Sequence, residues 1–405
     1  MKSTPGQSAP LCGIRILDLA DERASFGTRI MADLGARVIK VEMPGGDSSR
    51  NLGPFLKGRS QSKTSLSFFY NNANKLGITL NLRSKEGRRI FLQLAKRTDV
   101  VVETLPPGFL KQRGLDFESL RGVNPRLILV SVTGFGQGGP RRDYQACDLV
   151  LSAYGGQMYV SGSESLTPLK AFGNQSCFAA SLFVATAILL ALRNRSRTGE
   201  GEHIDISIQA SVTGTLEHVM HRYFAEGIID RRKGNLHWNE DFCVLPCKDG
   251  FIQVTLFQMW DTLVEWLDAE GMAEDLKDER WRDEGYRREH LSHVIEVLKK
   301  WTATHTRGEI YELAQLMRFP WAPVQRPGEI LECPQLKARN FFVERQCPET
   351  GITFKYPGMP YTSSLRLDLP EEPAPPPGEH NERIYRQELG FSEKKLKRLY
   401  ERRVI

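Results

Sequence analysis

Short β-branched segments alternate with segments of helical period through the first third of this chain. The apolar strand-like runs are Ile14–Ala20, Arg37–Glu42, Val100–Glu103 and Arg126–Gly134. Strand, helix and strand within about thirty residues form a βαβ unit, whose two strands lie parallel. The pattern therefore predicts an α/β fold with a doubly wound parallel sheet, whose ligand site lies at the carboxyl ends of the strands.

Helical spacing and capping residues predict the helices around these strands. Thr28–Ala36 carries apolar residues at helical spacing before a glycine stop, and Ser84–Asp99 begins with an expected N-cap serine. Further helices are predicted to open in PPGFLKQRG and near Asp143. A buried helix, apolar on nearly every side, is predicted from about Ser176 to Arg193.

A glycine-rich segment, GFGQGGP, follows the last of these strand-like runs. Glycines permit positive φ and let a ligand approach the backbone closely. The glycines concerned are Gly134, Gly136, Gly138 and Gly139. Farther along, AFGNQSC places small and polar residues just before the predicted buried helix. Because the N-terminus of a helix has free backbone N–H groups and a favourable dipole, an anion site is predicted there.

The length of 405 residues predicts two domains, because one hydrophobic core seldom extends over so long a chain. The large domain is expected over residues 1–226, ending in one long helix over Ser207–Gly227, with a polar linker over 227–241. A smaller α+β domain is expected over 242–326, beginning with a β-hairpin that turns at Lys248-Asp249-Gly250. Residues 327–405 are expected to return to the large domain and complete it.

Motifs and charge disfavour several classes of function. The net charge of +6 comes from dispersed basic residues, whereas nucleic-acid binding favours a clustered basic stripe. The loop after the first strand, DLADERASFG, lacks the G-x-G-x-x-G of a dinucleotide site. GFGQGG lacks the Lys-Ser/Thr of a phosphate loop. The sequence thus predicts neither a nucleic-acid partner nor a nicotinamide or P-loop nucleotide site.

Cysteine and histidine usage predicts a cytoplasmic protein without a metal centre. The seven cysteines are scattered, and the beginning of the chain has no apolar signal core. His218 and His221 have no further ligand at metal-site spacing, and neither have Cys243 and Cys247. The run Phe178–Leu192 is too short and too rich in alanine to predict a membrane span.

A family resemblance is carried by GFGQGGP, YQACDL, the pair Gly155-Gly156 and RSRTGEGEHIDISI. These segments resemble the core of the class III coenzyme A (CoA) transferases, the CaiB/BaiF and formyl-CoA transferase family. Further similarity lies in LDLADERASFGTRIMADLGARVIKVEMPGGDSSR, NNANKLGITLNL and TDVVVETLPPG, so the resemblance extends over nearly the whole chain.

The resemblance implies the class III fold, a doubly wound large domain built from N- and C-terminal segments, with a smaller α+β domain. It also implies a dimer in which two ring-shaped chains interlock. Acyl-CoA is the implied substrate, with no permanently bound cofactor.

The resemblance further implies a set of residues that contact CoA. These residues are Ala24, Met43, Asn74, Lys75, Thr104, Leu105, Lys111, Arg113 and Asp148. Lys111 and Arg113 are equally compatible with solvated helix charges. Asp148 is compatible with a hydrogen bond near the thioester or with a cap on the following helix. Further candidates for the site walls are Tyr144, Gln145, Phe135, Tyr154, Tyr159 and Trp238.

The family nucleophile is an aspartate at the start of the helix whose far end carries R-x-x-TG-x-G, and it forms an aspartyl–acyl anhydride with the acyl group. Counting back from Thr198 without a gap, that position is Cys177. A helix N-terminus lowers a cysteine pKa, so a thioester is conceivable, but no His or Lys near it in sequence would act as a base. Because a buried cysteine is usually an inert small hydrophobe, a lost nucleophile is the preferred interpretation.

Three functions follow from this departure. The first is the non-catalytic subunit of a heteromeric CoA-transferase, paired in a heterodimer or heterotetramer with a sister chain that bears the Asp. Succinyl-CoA-dependent family members of anaerobic aromatic degradation are assembled in this way. The second is a self-sufficient homodimeric transferase or racemase-like relative that uses other residues. The third is a CoA-binding regulatory protein.

Overall fold

The computed structural model describes residues 9–56, 64–346, 351–364 and 371–405. The strands are β1 Arg15–Leu19, β2 Arg37–Glu42, β3 Leu76–Thr79, β4 Val100–Glu103, β5 Ile128–Thr133, β6 His203–Ser207, β7 Phe242–Cys247, β8 Gly250–Thr255, β9 Ala322–Pro323, β10 Phe342–Gln346 and β11 Thr353–Pro357. The helices are α1 Ser25–Asp33, α2 Leu66–Asn72, α3 Lys85–Ala95, α4 Phe117–Val123, α5 Asp148–Tyr154, α6 Gln175–Thr198, α7 Ile208–Gly214, α8 Val219–Glu226, α9 Trp260–Ala269, α10 Glu284–Glu289, α11 Leu291–Thr302, α12 Arg307–Leu316, α13 Pro327–Glu332, α14 Pro334–Ala338 and α15 Glu393–Glu401.

The chain divides into two compact units. The large unit contains residues 1–157, 170–217 and 338–405, and the small unit contains 158–169 and 218–337. The boundaries differ from those expected from the sequence, because residues 158–169 join the small unit and the return to the large unit begins at Ala338. The C-terminal segment does rejoin the N-terminal one, as the resemblance implied.

The large unit is built on a six-stranded parallel sheet with the strand order β3-β2-β1-β4-β5-β6. The strands expected from β-branched runs are present, and β2 and β4 have the predicted bounds. The order reverses between β1 and β4, which is the topological switch point of a doubly wound sheet. The predicted fold class is therefore confirmed.

Each face of this sheet has its own apolar core. One core packs α3, α4 and the C-terminal residues Tyr385, Leu399 and Ile405 against the sheet. The other packs α1 and α6 against the opposite face. Gly27 permits the close approach of these two helices, because a Cβ atom there would lie 2.6 Å from the Ser181 carbonyl oxygen.

Three of the predicted helices differ clearly in the structure: one begins later, one is only a 3₁₀ turn, and one is divided in two. The helix expected near Asp143 begins five residues later, because Gly136 and Gly139 adopt positive φ and keep the intervening segment in a loop. PPGFLKQRG forms only a 3₁₀ turn, which the left-handed Gly114 ends. The long helix expected over Ser207–Gly227 is two helices, α7 and α8, which belong to different units. The predicted N-cap Ser84 is confirmed, since its hydroxyl accepts a hydrogen bond from the Gly87 N–H.

Helix α6 is the one helix in the described part of the chain that is long and apolar enough to cross a membrane. In this structure it packs against α1, α5, α7 and β5 in the large unit. The sequence predicted a buried helix that is apolar on nearly every side, and α6 is apolar but is buried in this chain along one side. Its other side exposes Leu182, Phe183 and Leu190, the last with 64% of its surface accessible.

The small unit has a separate core, in which Trp281, Trp301 and Trp321 are the largest fully buried side chains. The predicted hairpin is confirmed by antiparallel pairing of β7 with β8, and β9 extends it to three strands. Helix α12 begins with a capping box between Thr306 and Glu309. This unit therefore folds around its own apolar interior.

Candidate active site

A cavity of about 480 Å³ lies where the chain leaves β1, β2, β3 and β4, and we call it the switch-point cavity. Ligands of open parallel sheets bind at this edge because the loops diverge where the strand order reverses. Its apolar wall comes from Leu19, Val41, Leu80, Leu82, Pro106 and Phe109. Its charged groups are Asp21, Arg23, Glu42, Asp47 and Arg83.

Three of the residues expected to contact CoA share this cavity. Met43, Thr104 and Leu105 line it together, from the loops after β2 and β4. Ala24 lies in the neighbouring loop but is fully buried as the N-cap residue of α1. The structure thus brings together residues that are far apart in the chain, as parallel strands require.

The loop after β1 is attached directly to the turn after β4. The backbone N–H of Asp21 donates to Thr104 Oγ1 over 3.0 Å, and the Arg23 guanidinium donates to the Thr104 carbonyl oxygen. Arg23 also forms a bidentate ion pair with Asp21, at 2.9 Å from Nε to Oδ1 and 2.6 Å from Nη2 to Oδ2. The ion pair of Asp21 and Arg23 therefore lines the switch-point cavity beside Thr104, and the two charges neutralise each other.

Buried ion pairs hold the loop after β2. Arg50 donates to both carboxylate oxygens of Glu42 at 2.7 Å. The Lys40 ammonium lies 3.3 Å from Asp47 and donates to the Ala20 carbonyl oxygen, which joins this loop to the first. Burial opposes ionisation of Asp47, but Lys40 and the Ser49 hydrogen bonds outweigh it and lower the pKa. Arg83 is the lining cation for which no ion pair is formed among the described residues.

Asn74 and Lys75 lie outside the lining of this cavity. Lys75 is 2% exposed, and its ammonium nitrogen lies 2.8–2.9 Å from four oxygen atoms, one each of Asp18, Ser25, Thr28 and Asn72. Burial lowers the pKa of Lys75 to about 8, although the Asp18 carboxylate opposes that shift.

Asn74 donates to Asp33 and accepts hydrogen bonds from the Arg345 guanidinium and the Glu372 N–H. A phosphate could reach Lys75 or Asn74 only after these networks open. Their contact with CoA therefore stays a prediction.

Lys111 and Arg113 lie on the turn that follows β4. Arg113 stacks on the Phe109 ring at 3.5 Å and donates to the Phe109 carbonyl oxygen. Lys111 is exposed and lines a second cavity, of about 330 Å³, beside the first. Phe109 lines both cavities, so Arg113 supports a shared wall.

The N-terminus of α6 already holds an anion from the chain itself. Asp148 Oδ1 accepts from the backbone N–H and the hydroxyl of Ser176, at 2.9 and 2.6 Å. Its other oxygen lies 2.7 Å from the Lys170 ammonium. The predicted anion site is therefore occupied by Asp148, which caps a helix 28 residues away while opening its own helix, α5.

Cys177 follows directly in the first turn of α6. Its side chain is almost enclosed, with 5% of the residue exposed. Burial raises the pKa of the thiol to about 12, and the negative charges of Asp148, Glu22 and Asp21 add to this effect. The Ser176 hydroxyl, 3.9 Å from Sγ, opposes it only in part. A helix N-terminus ordinarily activates a thiol, but Asp148 occupies this one, so Cys177 is uncharged at neutral pH.

Aromatic candidates fall into separate groups. Phe135 packs edge-on against Tyr144 and Tyr154, with ring centroids 6.2 and 5.6 Å apart. Tyr159 and Trp238 belong to the small unit. Among the described residues no group of three or more His, Cys, Asp or Glu side chains is arranged to hold a metal ion.

Comparison with known proteins identifies the family. The family model for CoA-transferase family III matches residues 11–381. This chain belongs to CoA-transferase family III. It is 32% identical over 380 residues to the succinyl-CoA:(R)-benzylsuccinate CoA-transferase subunit BbsE of Thauera aromatica, covering 91% of this chain and 92% of that one.

Two further relatives extend the comparison. The succinyl-CoA–L-malate CoA-transferase beta subunit of Chloroflexus aurantiacus is 32% identical over 404 residues, covering 98% of each chain. The crystal structure of a CaiB/BaiF family protein from Brucella suis superimposes with a TM-score of 0.85 at 30% identity, covering 94% of this chain and all of that one. The resemblance seen in the sequence is confirmed, and acyl-CoA is the substrate class of the family.

Sequence reasoning missed several polar residues of the site. They are Asp21, Arg23, Asp47, Arg83 and Lys170. The first two were open to prediction, because they follow the carboxyl end of β1 directly. No sequence pattern pointed to Lys170, since its partner Asp148 lies at the start of α5, far away in the chain.

Proposed function

We propose that this chain is one subunit of a class III CoA-transferase, which moves CoA from an acyl-CoA donor to a carboxylic acid acceptor. In this proposal the chain binds CoA in the switch-point cavity and lacks the catalytic carboxylate. A homologous sister subunit supplies that aspartate in an interlocked heterodimer or heterotetramer. The sister carboxylate attacks the thioester carbonyl, which forms an acyl anhydride and releases the CoA thiolate.

The environment of Cys177 carries this proposal. Nucleophilic attack on a thioester requires an ionised group, whereas burial and, to a lesser extent, the neighbouring acidic side chains raise the pKa of this thiol to about 12. No His or Lys hydrogen bond to Sγ is present among the described residues. A thiol that does not ionise at the family's nucleophile position supports the proposal that a second chain supplies the catalytic aspartate.

Two observations support a partner chain. Two of the relatives are named as subunits, BbsE and the malate enzyme's beta subunit. The outer side of α6 exposes Leu182, Phe183, Leu189 and Leu190, a row of apolar side chains that water solvates poorly. A sister chain on this face would remove that surface from water.

The donor we propose is succinyl-CoA, and the acceptor a dicarboxylic acid such as benzylsuccinate in anaerobic aromatic degradation. The names of the relatives support this choice, because both are succinyl-CoA-dependent enzymes. The six cysteines in the described part of the chain are free, which supports a cytoplasmic location.

Transfer assays on separate and mixed chains test the proposal. The chain is purified alone and together with the product of a neighbouring gene that encodes an Asp at the position of Cys177. Transfer is expected only in the mixture, and replacing the sister's Asp should abolish it while Cys177→Ala leaves it unchanged. Transfer by the lone chain, lost in Cys177→Ala, would favour a self-sufficient enzyme. CoA binding without turnover in any combination would favour a regulatory protein.

A further inference from the structure

Glu103 ends β4 immediately before the turn that forms one wall of the switch-point cavity. Its side chain is nearly enclosed, with 4% of the residue exposed. One carboxylate oxygen accepts a hydrogen bond from the Leu105 backbone N–H at 2.6 Å. This short contact fixes the direction of the backbone across Thr104 and Leu105, which both line the cavity.

The same turn is held from the other side by the loop after β1. The Asp21 N–H donates to Thr104 Oγ1, and Arg23 donates to the Thr104 carbonyl oxygen. Glu103 is therefore the group on the sheet side that completes the attachment of the turn. Without its acceptor, the Leu105 N–H would be left without a partner beside the cavity.

A hydrogen-bonded chain leads from Glu103 to the protein surface. Interaction with the Ser131 side chain favours the ionised form of Glu103. Ser131 Oγ in turn lies 3.0 Å from His203 Nε2, and these two groups share a hydrogen bond. His203 is exposed at the start of β6 and stacks on Phe117 with ring centroids 5.9 Å apart.

Glu103, Ser131 and His203 line the second cavity, so water reaches this chain of groups from outside the CoA cavity. Burial raises the pKa of Glu103 to about 7, while hydrogen bonds from Ser131 and Leu105 oppose the rise. Arg23 and Asp205 act on the charge of Glu103. The other charged or titratable residues that line the second cavity are His203, Lys111, Asp116, Glu118 and Arg142. Glu103 can thus change its charge near neutral pH.

We propose that Glu103 is a positioning residue for CoA, which sets the Thr104–Leu105 wall and is connected to solvent by Ser131 and His203. This inference rests on the proposed binding of CoA in the switch-point cavity. The ionised carboxylate is the stronger acceptor for the Leu105 N–H, so it holds the wall more firmly than the protonated acid does. The affinity for CoA therefore contains a contribution that is lost when Glu103 is protonated.

The test measures the dissociation constant of CoA for the full-length chain between about pH 5.5 and about pH 8.5, in wild type and Glu103→Gln. The amide oxygen of the substituted side chain would still accept from the Leu105 N–H, but the amide cannot ionise. The ratio of the variant's dissociation constant to that of wild type is expected near one at low pH, rising to about fivefold at high pH. Taking the ratio cancels the titration of the CoA phosphates.

Two further variants separate positioning from general damage. Ser131→Ala removes a hydrogen bond that favours the ionised acid, so it should move the midpoint of the pH dependence upward. Glu118→Gln removes an exposed acid from the second cavity and should leave the ratio near one at every pH. A flat ratio in Glu103→Gln, with wild type binding CoA, would overturn the positioning role alone. Absence of CoA binding by wild type would overturn the proposed function as well.

Discussion

The carboxylate of Asp148 accepts two hydrogen bonds from Ser176, one from the backbone N–H and one from the hydroxyl. This contact caps α6 with a side chain from α5 and places a negative charge beside Cys177. One residue therefore both completes the helix end and adds to the effect of burial, which raises the pKa of the neighbouring thiol. The first two predictions follow from this arrangement.

Asp148→Ala should destabilise the large unit. The substitution leaves the Ser176 N–H without its cap and the Lys170 ammonium without its partner, so a loss of about 1–2 kcal/mol in the free energy of unfolding is expected. Urea unfolding monitored by circular dichroism measures it. Asp143→Ala is the matched control and should change little, because this exposed loop residue pairs with Arg142 alone within the described ranges. Equal effects of the two substitutions would contradict the capping role.

Cys177 should resist alkylation in the folded protein. With a pKa of about 12, it has very little thiolate at about pH 8, whereas Cys12 and Cys147 are exposed. Treatment with iodoacetamide followed by peptide mass spectrometry should label the two exposed cysteines and spare Cys177 until urea is added. Asp148→Asn should speed its labelling, because removing the neighbouring charge lowers the thiol pKa. Rapid labelling of native Cys177 would argue for a reactive thiol.

Glu103→Gln should make the protein more stable at alkaline pH. The pKa of Glu103 is about 7 in the folded chain and near 4.5 in the unfolded chain, so the folded state binds more protons between these values. The free energy of unfolding therefore falls as pH rises through this window. The variant removes this loss and should gain up to about 3 kcal/mol above pH 7, with no gain near pH 4. Urea unfolding across this pH range measures the difference in the free energy of unfolding between Glu103→Gln and wild type. The difference should grow with pH, whereas the control Glu118→Gln should show no such pH dependence.

Lys75→Met should be strongly destabilising, because it leaves Asp18 ionised in the interior without its closest cation. The two groups are 2.8 Å apart and both are fully buried. Breaking one partner of such a pair costs about 3–5 kcal/mol. Denaturant midpoints measure the loss, and the exposed Lys85→Met serves as the control. If the double variant with Asp18→Asn is no more stable than the single one, the two charges do not depend on each other.

Arg83→Gln should weaken CoA binding, because Arg83 is the cation of the switch-point cavity that has no carboxylate partner among the described residues. A loss of about three- to tenfold in affinity is expected, and it should diminish as salt is added. Titration calorimetry at low and high salt measures this. Arg89→Gln, at an exposed position on the following helix α3 and outside the lining, should bind like wild type. Unchanged affinity in Arg83→Gln would remove Arg83 from the site.

Sequence reasoning located three residues of the cavity wall but not its charges. Met43, Thr104 and Leu105 were expected at one site and lie together, because the ends of parallel strands meet at one edge. Lys75 was expected near phosphate, and instead its ammonium is buried among four oxygen atoms of the chain. A local sequence pattern does not predict whether a lysine beside a strand points to the ligand or into the core, because the ligand site and the core adjoin the same end of the strand.

The amino-acid sequence by itself determined four strands of the sheet and their parallel arrangement, since β-branched runs buried on both faces can form little else. Its motifs determined the family. It also determined that a thiol stands at Cys177. Only the tertiary structure decided that this thiol is buried beside Asp148 and that α6 is exposed along one side. Both properties depend on groups far away in the chain, such as Asp148 beside Ser176, and their proximity arises only when the strands and helices pack.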